Sequence, residues 1–398
     1  MLIAFFVNDM ADEYPRFTTT LLAYEAARRG HEVCYITPGD FVLSPDDVMR
    51  VHARFADPAA TRRASRAVAK KATKTAKKTT KKASKKKVAR KKATKAASSR
   101  PSDAPVAANA SAASLAAFLK GLQSSKKTRL IDVGDLDVLM LRNDPSRDAN
   151  ERPWAEDIGI QFGRRAAQQG VLVLNDPETL SRAINKLYFQ EFPRDVRAET
   201  LITRFPADVK EFAKKHGGKI VLKPLQGSGG QGVFLVNNKA AANLNQMIES
   251  ISRDGYLIAQ AYVPEAKQGD IRLFMMNGLP LEVDGKYAAM RRVASAEDIR
   301  SNIHAGGKAK PIKITERQLR VAELIRPKLV EDGMFLVGID IIGDVILEVN
   351  VFTPGNLFSC CEMTGVNFAG RILQNIERKL EIRSEFPGHF GNASLAVM

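Results

Sequence analysis

Asp340, Glu348 and Asn350 are the polar residues of two apolar runs, FLVGIDII (335–342) and VILEVNV (345–351), joined at Gly343-Asp344. Side chains on a strand alternate between faces, so Glu348 and Asn350 share one. A tight turn at Gly343-Asp344 makes an antiparallel hairpin in which Asp340 faces Glu348. Two carboxylates and an amide oxygen on an apolar surface are costly unless a cation or water meets them. Hard oxygen donors suit Mg²⁺, with phosphate oxygens completing its shell. The alternative is a polar edge facing solvent, which the apolar flanks disfavour.

A second stretch could handle the phosphates. KIVLKPLQGSGGQGVFLV (219–236) places Lys223 at the end of a strand and Gly227, Gly229, Gly230 and Gly232 just beyond it. The spacing matches a dinucleotide fingerprint, but that fingerprint needs a helix after the glycines. Here VFLV resumes a strand, so the glycines join two strands. Glycine lets backbone N–H groups approach a phosphate closely. Lys223 adds a compact charge at the mouth of the hairpin. A flexible surface hairpin with a chance lysine is the competing reading.

Other elements must hold these groups in place. Leu2–Val7, a helix over Phe17–Arg29 and Glu32–Thr37 open a parallel α/β sheet. Leu136–Arg142, a helix over Ala155–Gln169 and Val171–Leu174 continue it, and Thr179–Phe189 reads as a further helix. A second unit holds Glu199–Thr203, the helix Ala207–His216, the glycine hairpin, the helix Asn243–Ser252 and Ile258–Val263. A third holds Ile271–Met276, Leu281–Val283, the helix Glu316–Val330, the acidic hairpin and a helix over Phe368–Leu380. The tail from Arg383 shows no pattern.

The chain of 398 residues has a formal charge of +17, yet 18 Lys or Arg and no acid lie between Arg62 and Arg100, leaving −1 for the rest. From Ala59 to Ser125 large apolar residues are nearly absent before Leu115. Such a segment cannot offset its ordering entropy by burial and is expected to be disordered. Its Lys/Ala composition resembles linker-histone tails and fits non-specific contact with nucleic acid or another polyanion through 62–100, or a solvated spacer. Cys34, Cys360 and Cys361 suit neither a disulfide framework nor a zinc site. No run is long enough for a membrane span and Met1–Val7 is too short for a signal-peptide core, so a cytoplasmic protein is expected.

Taken in order, several segments resemble the ATP-grasp carboxylate–amine ligases, and within them the bacterial glutathione synthetases. These are LMLRNDP (139–145), Asn185-Lys186-Leu187, VLKPLQGSGGQGVF (221–234), IAQAYVPEAKQGDIR (258–272), RSNIHAGG (300–307) and VGIDIIGDVILEVNV (337–351). The resemblance implies an α/β ATP-grasp fold behind an N-terminal parallel α/β (pre-ATP-grasp) domain. The expected divisions are 1–58 and 128–183 for that domain, 59–127 for a disordered insertion, 184–262 for a lid subdomain, 263–382 for a C-terminal subdomain, and 383–398 for a tail. It also implies roles. Lys186 and Lys223 match lysines on ATP phosphates, and Gly227, Gly229, Gly230 and Gly232 match the lid. Gln260, Ala261, Tyr262 and Val263 match the segment whose backbone binds adenine, and Asp270 matches an acid near the ribose. Asp340, Glu348 and Asn350 match Mg²⁺ ligands, with Mn²⁺ as an alternative ion. Arg292, Arg300 and Asn302 match positions at the transferred phosphate and the acceptor carboxylate.

One loop departs from the pattern. Where the family reads T-S-P-T after the asparagine, this chain has Phe352-Thr353-Pro354-Gly355-Asn356-Leu357, at the substrate end of the site. The implied reaction joins γ-glutamylcysteine to glycine through an acyl phosphate, with ATP, an acid and an amine as partners and a dimer or tetramer in keeping with the family. Competing expectations are a ligase adding an amino acid to another peptide or protein, and a polyanion-binding protein acting through the basic insertion. His304 is given no catalytic role.

Overall fold

Ile3, Phe5 and Val7 face one side of the first sheet and Ala4 and Phe6 the other, and all five are buried. Such a strand needs cover on both faces, as parallel sheets do. A computed structural model describes residues 1–57, 110–125, 128–227, 230–237, 243–253, 255–293 and 307–398. In it Leu2–Phe6 lies between Glu32–Ile36 and Val138–Leu141, all parallel, with Leu172–Leu174 beyond Val138–Leu141. The other edge is antiparallel and was not foreseen. Met49–Phe55 pairs with Glu32–Ile36, Phe41–Leu43 and Thr128–Asp132. Helices Thr18–Arg28, Ala112–Ser124 and Phe368–Glu385 cover one face, and Ile158–Gln168 the other.

The second sheet is antiparallel, in the order Phe234–Val236, Ile220–Pro224, Leu257–Ala261, Thr200–Thr203. It has its own core with helices Pro206–Lys215 and Leu244–Ser252. The third sheet runs Lys308–Lys310, Ala289–Val293, Asp270–Met276, Leu336–Ile342, Val345–Asn350. Helix Glu316–Glu331 packs on one of its faces, and Leu357–Thr364 and Phe368–Glu385 on the other. Both clusters of the first sheet run into the third without a break. The glycine-hairpin unit is therefore the one with a separate core.

Three expectations need correction. Disorder over Ala59–Ser125 does not hold at its end, because Ala112–Ser124 is a helix. Ser111 and Ser114 close its N-terminus with reciprocal hydrogen bonds, and Leu115, Phe118, Leu119 and Leu122 form a buried stripe at helical spacing. Phe118 meets Tyr24 edge-on at 5.6 Å. Residues 59–109, which carry the basic run, lie outside the described residues.

Thr179–Phe189 is not one helix but the short turns Pro177–Leu180, Ser181–Ala183 and Lys186–Glu191. Asn185 is extended, and its side chain accepts the N–H of Leu187 at 2.9 Å, starting a new turn. The tail is also ordered: after Phe368–Glu385, Asn392–Ala396 forms a turn of helix. The Asn392 carboxamide accepts the Val173 N–H at 2.8 Å and donates to its carbonyl at 2.9 Å.

Candidate active site

Asp340 lies opposite Glu348 in the register of the antiparallel hairpin, as its sequence implied. An irregularity next to Asp340 makes this possible, since Ile341 already pairs with Ile346. Gly343 takes φ +57° at the first position of the two-residue turn, a backbone region that glycine enters without a Cβ clash. Asn350 donates from Nδ2 toward the Gly338 carbonyl at 3.3 Å and Asp340 at 3.4 Å, which leaves its amide oxygen for another partner.

The carboxylate of Asp340 is buried among arginines. Arg272 grips both of its oxygens, the Nη2 contact at 2.9 Å, and Arg292 approaches Oδ2 at 2.7 Å. Arg292 also bonds Asp270, with Nε at 2.9 Å. Burial would raise the Asp340 carboxyl, but Arg272 and Arg292 outweigh it and hold it below the usual carboxylate range. Burial likewise opposes the charge of Arg292, and Asp340 with Asp270 more than offsets it. Asp270 is thus committed to Arg292 and does not line the cleft that holds the two lysines.

That cleft lies between the second sheet and the acidic hairpin. Lys186, Lys223, Gly227, Gln260, Glu348 and Asn350 line it. Lys186 donates to the Gly227 carbonyl at 2.5 Å and Lys223 to the Gln260 side chain at 3.1 Å. Gln260 in turn donates to Thr200 at 3.1 Å. Burial pushes Lys223 down to about 8, with Glu348 raising it and Lys186 lowering it. Lys186 is also lowered by burial, against the pull of Glu348 and Asp144. The cleft is narrow, at 130 Å³, whereas pockets for drug-sized ligands hold roughly 300–1,000 Å³.

On its other side the hairpin faces a cavity of 1040 Å³ under the N-terminal sheet. Asp144, Glu348, Asn350 and Thr353 line both spaces, so the two meet at the acidic hairpin. Gln231 of the glycine hairpin lines the larger cavity. Among the described residues Glu348 makes no hydrogen bond or ion pair, so its carboxylate is free for a cation. With the Asn350 amide oxygen it puts two oxygen donors of the kind that suit a hard divalent ion where the two spaces meet, while both oxygens of Asp340 are held by Arg272 and Arg292.

Of the other expected positions, Gly230 and Gly232 belong to the hairpin, while Gly229, Arg300 and Asn302 lie outside the described residues, as does His304. Ala261 ends the strand Leu257–Ala261, and Tyr262 and Val263 follow it, with Lys219 over the Tyr262 ring at 3.7 Å.

Two arginines at the site were not singled out in the sequence. Arg272 ties Asp340 to the carbonyl of Gly355 at 3.3 Å. Arg142 reaches the carbonyls of Phe352 at 3.3 Å and Pro354 at 3.2 Å. Together they hold the loop that departs from the family pattern. The signal for Arg272 was present: Asp270 and Arg272 sit two apart in an apolar strand, the same spacing as Glu348 and Asn350.

Gly338 lets the Arg272 side chain and the loop lie close together. A Cβ there would stand 2.9 Å from that of Pro354 and 3.1 Å from Cδ of Arg272. Gly338→Ala should therefore push the loop or the arginine aside. Misplacement of about 1 Å costs on the order of 10²-fold in rate, so kcat/KM should fall about that far while overpacking lowers stability by about 1–3 kcal/mol. Steady-state kinetics together with a thermal melt check both; a variant with parental kinetics shows the loop to be irrelevant to turnover.

Comparison with known proteins agrees with this geometry. Residues 185–365 match the family model described as prokaryotic glutathione synthetase, ATP-grasp domain. The glutathione synthetase of Vibrio vulnificus (strain CMCP6) is 32% identical over 64% of this chain and 77% of its own. That of Brucella melitensis biotype 1 is 35% identical over 62% of this chain and 75% of its own, and that of Escherichia coli O157:H7 35% over 63% and 76%. Among solved structures, the macrocyclase MdnC of Microcystis aeruginosa MRC superposes with a TM-score of 0.54 at 11% identity, over 94% of this chain and 99% of its own. A Chryseobacterium gregarium ATP-grasp ligase superposes at 0.53 and 13%, over 95% and 97%.

Those superpositions make the fold an ATP-grasp fold, and Lys186, Lys223, Gly227 and the acidic hairpin residues Glu348 and Asn350 line one cleft in it. By its sequence relatives the chain belongs to the bacterial glutathione synthetase family of ATP-dependent ligases. Such ligases use ATP and a divalent metal. No helix among the described residues is long and apolar enough to cross a membrane.

Proposed function

We propose that the chain is an amide-forming carboxylate–amine ligase that joins γ-glutamylcysteine to glycine at the expense of ATP. The observation that carries this reading is the meeting of a lysine-lined cleft and a large polar cavity at one wall, Glu348 and Asn350. A phosphoryl group held on one side can pass to a carboxylate held on the other.

In this reading Lys186, Lys223 and the hairpin glycines Gly227, Gly229, Gly230 and Gly232 receive the ATP phosphates. The backbone of Gln260–Val263 receives the adenine, and Asp270 acts only by holding Arg292. Asp340, Glu348 and Asn350 would hold Mg²⁺, or Mn²⁺, which neutralises phosphate charge when bound. Arg292, Arg300 and Asn302 face the migrating phosphoryl group and the acceptor carboxylate. Phosphorylation turns the acid into an acyl phosphate, the amine attacks its carbonyl, and phosphate leaves. The closed hairpin keeps water from the intermediate.

ADP release by the purified chain with γ-glutamylcysteine and glycine tests this. Release with that pair and not with either alone is expected. Release that requires a different acid or amine would move the assignment to a ligase acting on another peptide or protein, in line with the altered loop 352–357. The basic run 62–100 has the composition of a polyanion contact, which salt-dependent nucleic-acid binding, lost on its deletion, would demonstrate.

The depressed Lys223 gives a pH signature. In the free chain it loses its proton as pH rises through about 8, and the ammonium is the form that attracts phosphate. The charged groups facing it are Lys186 and Glu348. If protonated Lys223 is what binds, affinity for a non-hydrolysable ATP analogue should fall about tenfold from pH 7 to pH 9. Lys223→Met should bind more weakly at pH 7 and lose most of that slope. Calorimetric titration at several pH values checks it; an unaltered slope in the variant takes Lys223 out of phosphate binding.

A further inference from the structure

Lys186 opens a stretch of backbone with little to fix it from within. Pro177–Leu180, Ser181–Ala183 and Lys186–Glu191 are short turns in succession, the last two of them 3₁₀. Such turns have poor hydrogen-bond geometry, so side chains must set where they lie. Lys186 and Tyr188 stand two apart, and at about three residues per turn they point in different directions. Lys186 reaches toward the second sheet, with its N–H on the Leu225 carbonyl at 3.1 Å and its ammonium on that of Gly227. The Tyr188 ring forms part of the cleft wall and packs into the core shared with helix Glu316–Glu331, edge-on to Phe192 at 5.2 Å.

The hydroxyl of that tyrosine is committed elsewhere. It donates at 2.8 Å to Asp332, the residue that ends helix Glu316–Glu331. Asp332 is 1% exposed. Its other carboxylate oxygen meets Lys328 at 3.1 Å and Arg182 at 3.7 Å, and its carbonyl accepts from Thr179. Lys328 also pairs with Glu191 at 2.8 Å, at the far end of the turn that Lys186 opens. All three turns are thus tied to one corner, through Thr179, through Arg182, and through Tyr188 with Glu191. Burial, and then the Asp332 carboxylate, hold the Tyr188 hydroxyl well above its ordinary range, so it stays a donor. A buried ionic cluster adds little net stability over a well-packed apolar group. A satisfied buried network does fix a single arrangement, and the group it fixes here is the turn that carries a cleft lysine.

We propose that Asp332 and Tyr188 are positioning residues for phosphate recognition: they anchor the turn from behind and so aim the Lys186 ammonium at the phosphates of the nucleotide. This rests on the ligase reading above, in which Lys186 receives those phosphates, and adds what sets its aim.

The test is calorimetric titration of the full chain with a non-hydrolysable ATP analogue, and with adenosine by displacement of that analogue. It compares the parent, Tyr188→Phe, Lys186→Met and the double variant. Tyr188→Phe keeps the ring, and with it the cleft wall and the packing, and removes one hydroxyl. It should weaken the analogue about tenfold, in line with the contribution of a hydrogen bond to a charged group, and leave adenosine unchanged. Lys186→Met should weaken the analogue at least as much. Because the tyrosine acts through the lysine, the double variant should bind no more weakly than Lys186→Met alone. Asp332→Asn keeps an oxygen for the hydroxyl and should bind like the parent, whereas Asp332→Leu should bind like Tyr188→Phe. Tyr188→Phe carries the test if Asp332→Leu does not fold. Parental affinity for the analogue in Tyr188→Phe, equal weakening of analogue and adenosine, or losses that add in the double variant overturn the positioning role. Parental affinity in Lys186→Met removes that lysine from phosphate binding, and the positioning role falls with it. A clear loss in Lys186→Met beside additive losses in the double variant sinks the positioning role alone.

Discussion

Glu348→Gln should lower ligation by about 10³-fold or more while leaving the fold intact. The carboxylate stands where the lysine-lined cleft and the acid cavity meet, and among the described residues no protein group pairs with it. Removing its charge deprives a bound cation of a ligand and strips Lys186 and Lys223 of the one acid that raises both. Metal ligation to a reacting phosphate contributes several kcal/mol, and each 1.36 kcal/mol is tenfold in rate. Initial rates of ADP release at saturating Mg²⁺ measure it, with a melting curve as control.

Asp340→Asn should be as inactive but not as stable. Its carboxylate is the counter-charge for two buried guanidinium groups, and breaking a buried pair costs about 3–5 kcal/mol. A melting temperature unchanged from the parent in Asp340→Asn would mean that Arg272 and Arg292 do not depend on it. Near-parental turnover in Glu348→Gln would remove the hairpin from catalysis.

The second large effect concerns the insertion. Deleting 61–108 and bridging the gap with a short flexible linker should leave ligation largely unchanged. Extending the deletion through Ser124 should unfold the chain. That longer cut removes Leu115, Phe118, Leu119 and Leu122, all fully buried against the first helix and sheet. Truncating one such residue to alanine costs about 2–5 kcal/mol, and a typical domain has only about 5–15 kcal/mol in hand. It also removes Gln123 from the loop that carries Glu13. Solubility and circular dichroism of the two deletions decide; a folded, active 61–124 deletion would show the helix to be dispensable.

The sequence read as a whole made that helix look like part of a disordered segment, and the reason is compositional. SAASLAAFLKGLQSS follows a long Lys/Ala tract, and averaged over the segment its four large apolar residues are few. Taken residue by residue they fall at helical spacing behind a serine cap. The acidic hairpin was legible because alternation in a strand is a local rule and the turn was short. The lid hairpin was legible for the same reason, and Leu222 does pair with Phe234. Partners across long separations were not. Nothing near Arg142 in sequence announces the carbonyls of Phe352 and Pro354, nor does Thr19 announce Arg142. The break at Asn185 was hidden because the apolar residues of 179–189 fit a helical face equally well whether or not one side chain interrupts it.

Leu172–Leu174 is the outermost strand at its end of the first sheet among the described residues. An open edge offers unpaired N–H and C=O groups to any passing strand and so invites association between chains. The Asn392 carboxamide occupies one such pair, giving Val173 the acceptor and donor that a neighbouring backbone would supply. It is fixed there by a further bond to Asp176 at 2.8 Å. A single side chain on the last helical turn thus does the work of a missing strand. Resistance to aggregation along this edge is consequently only as durable as the docking of that turn, and proteolytic nicking between 386 and 391 would turn a self-contained sheet into a seed for others.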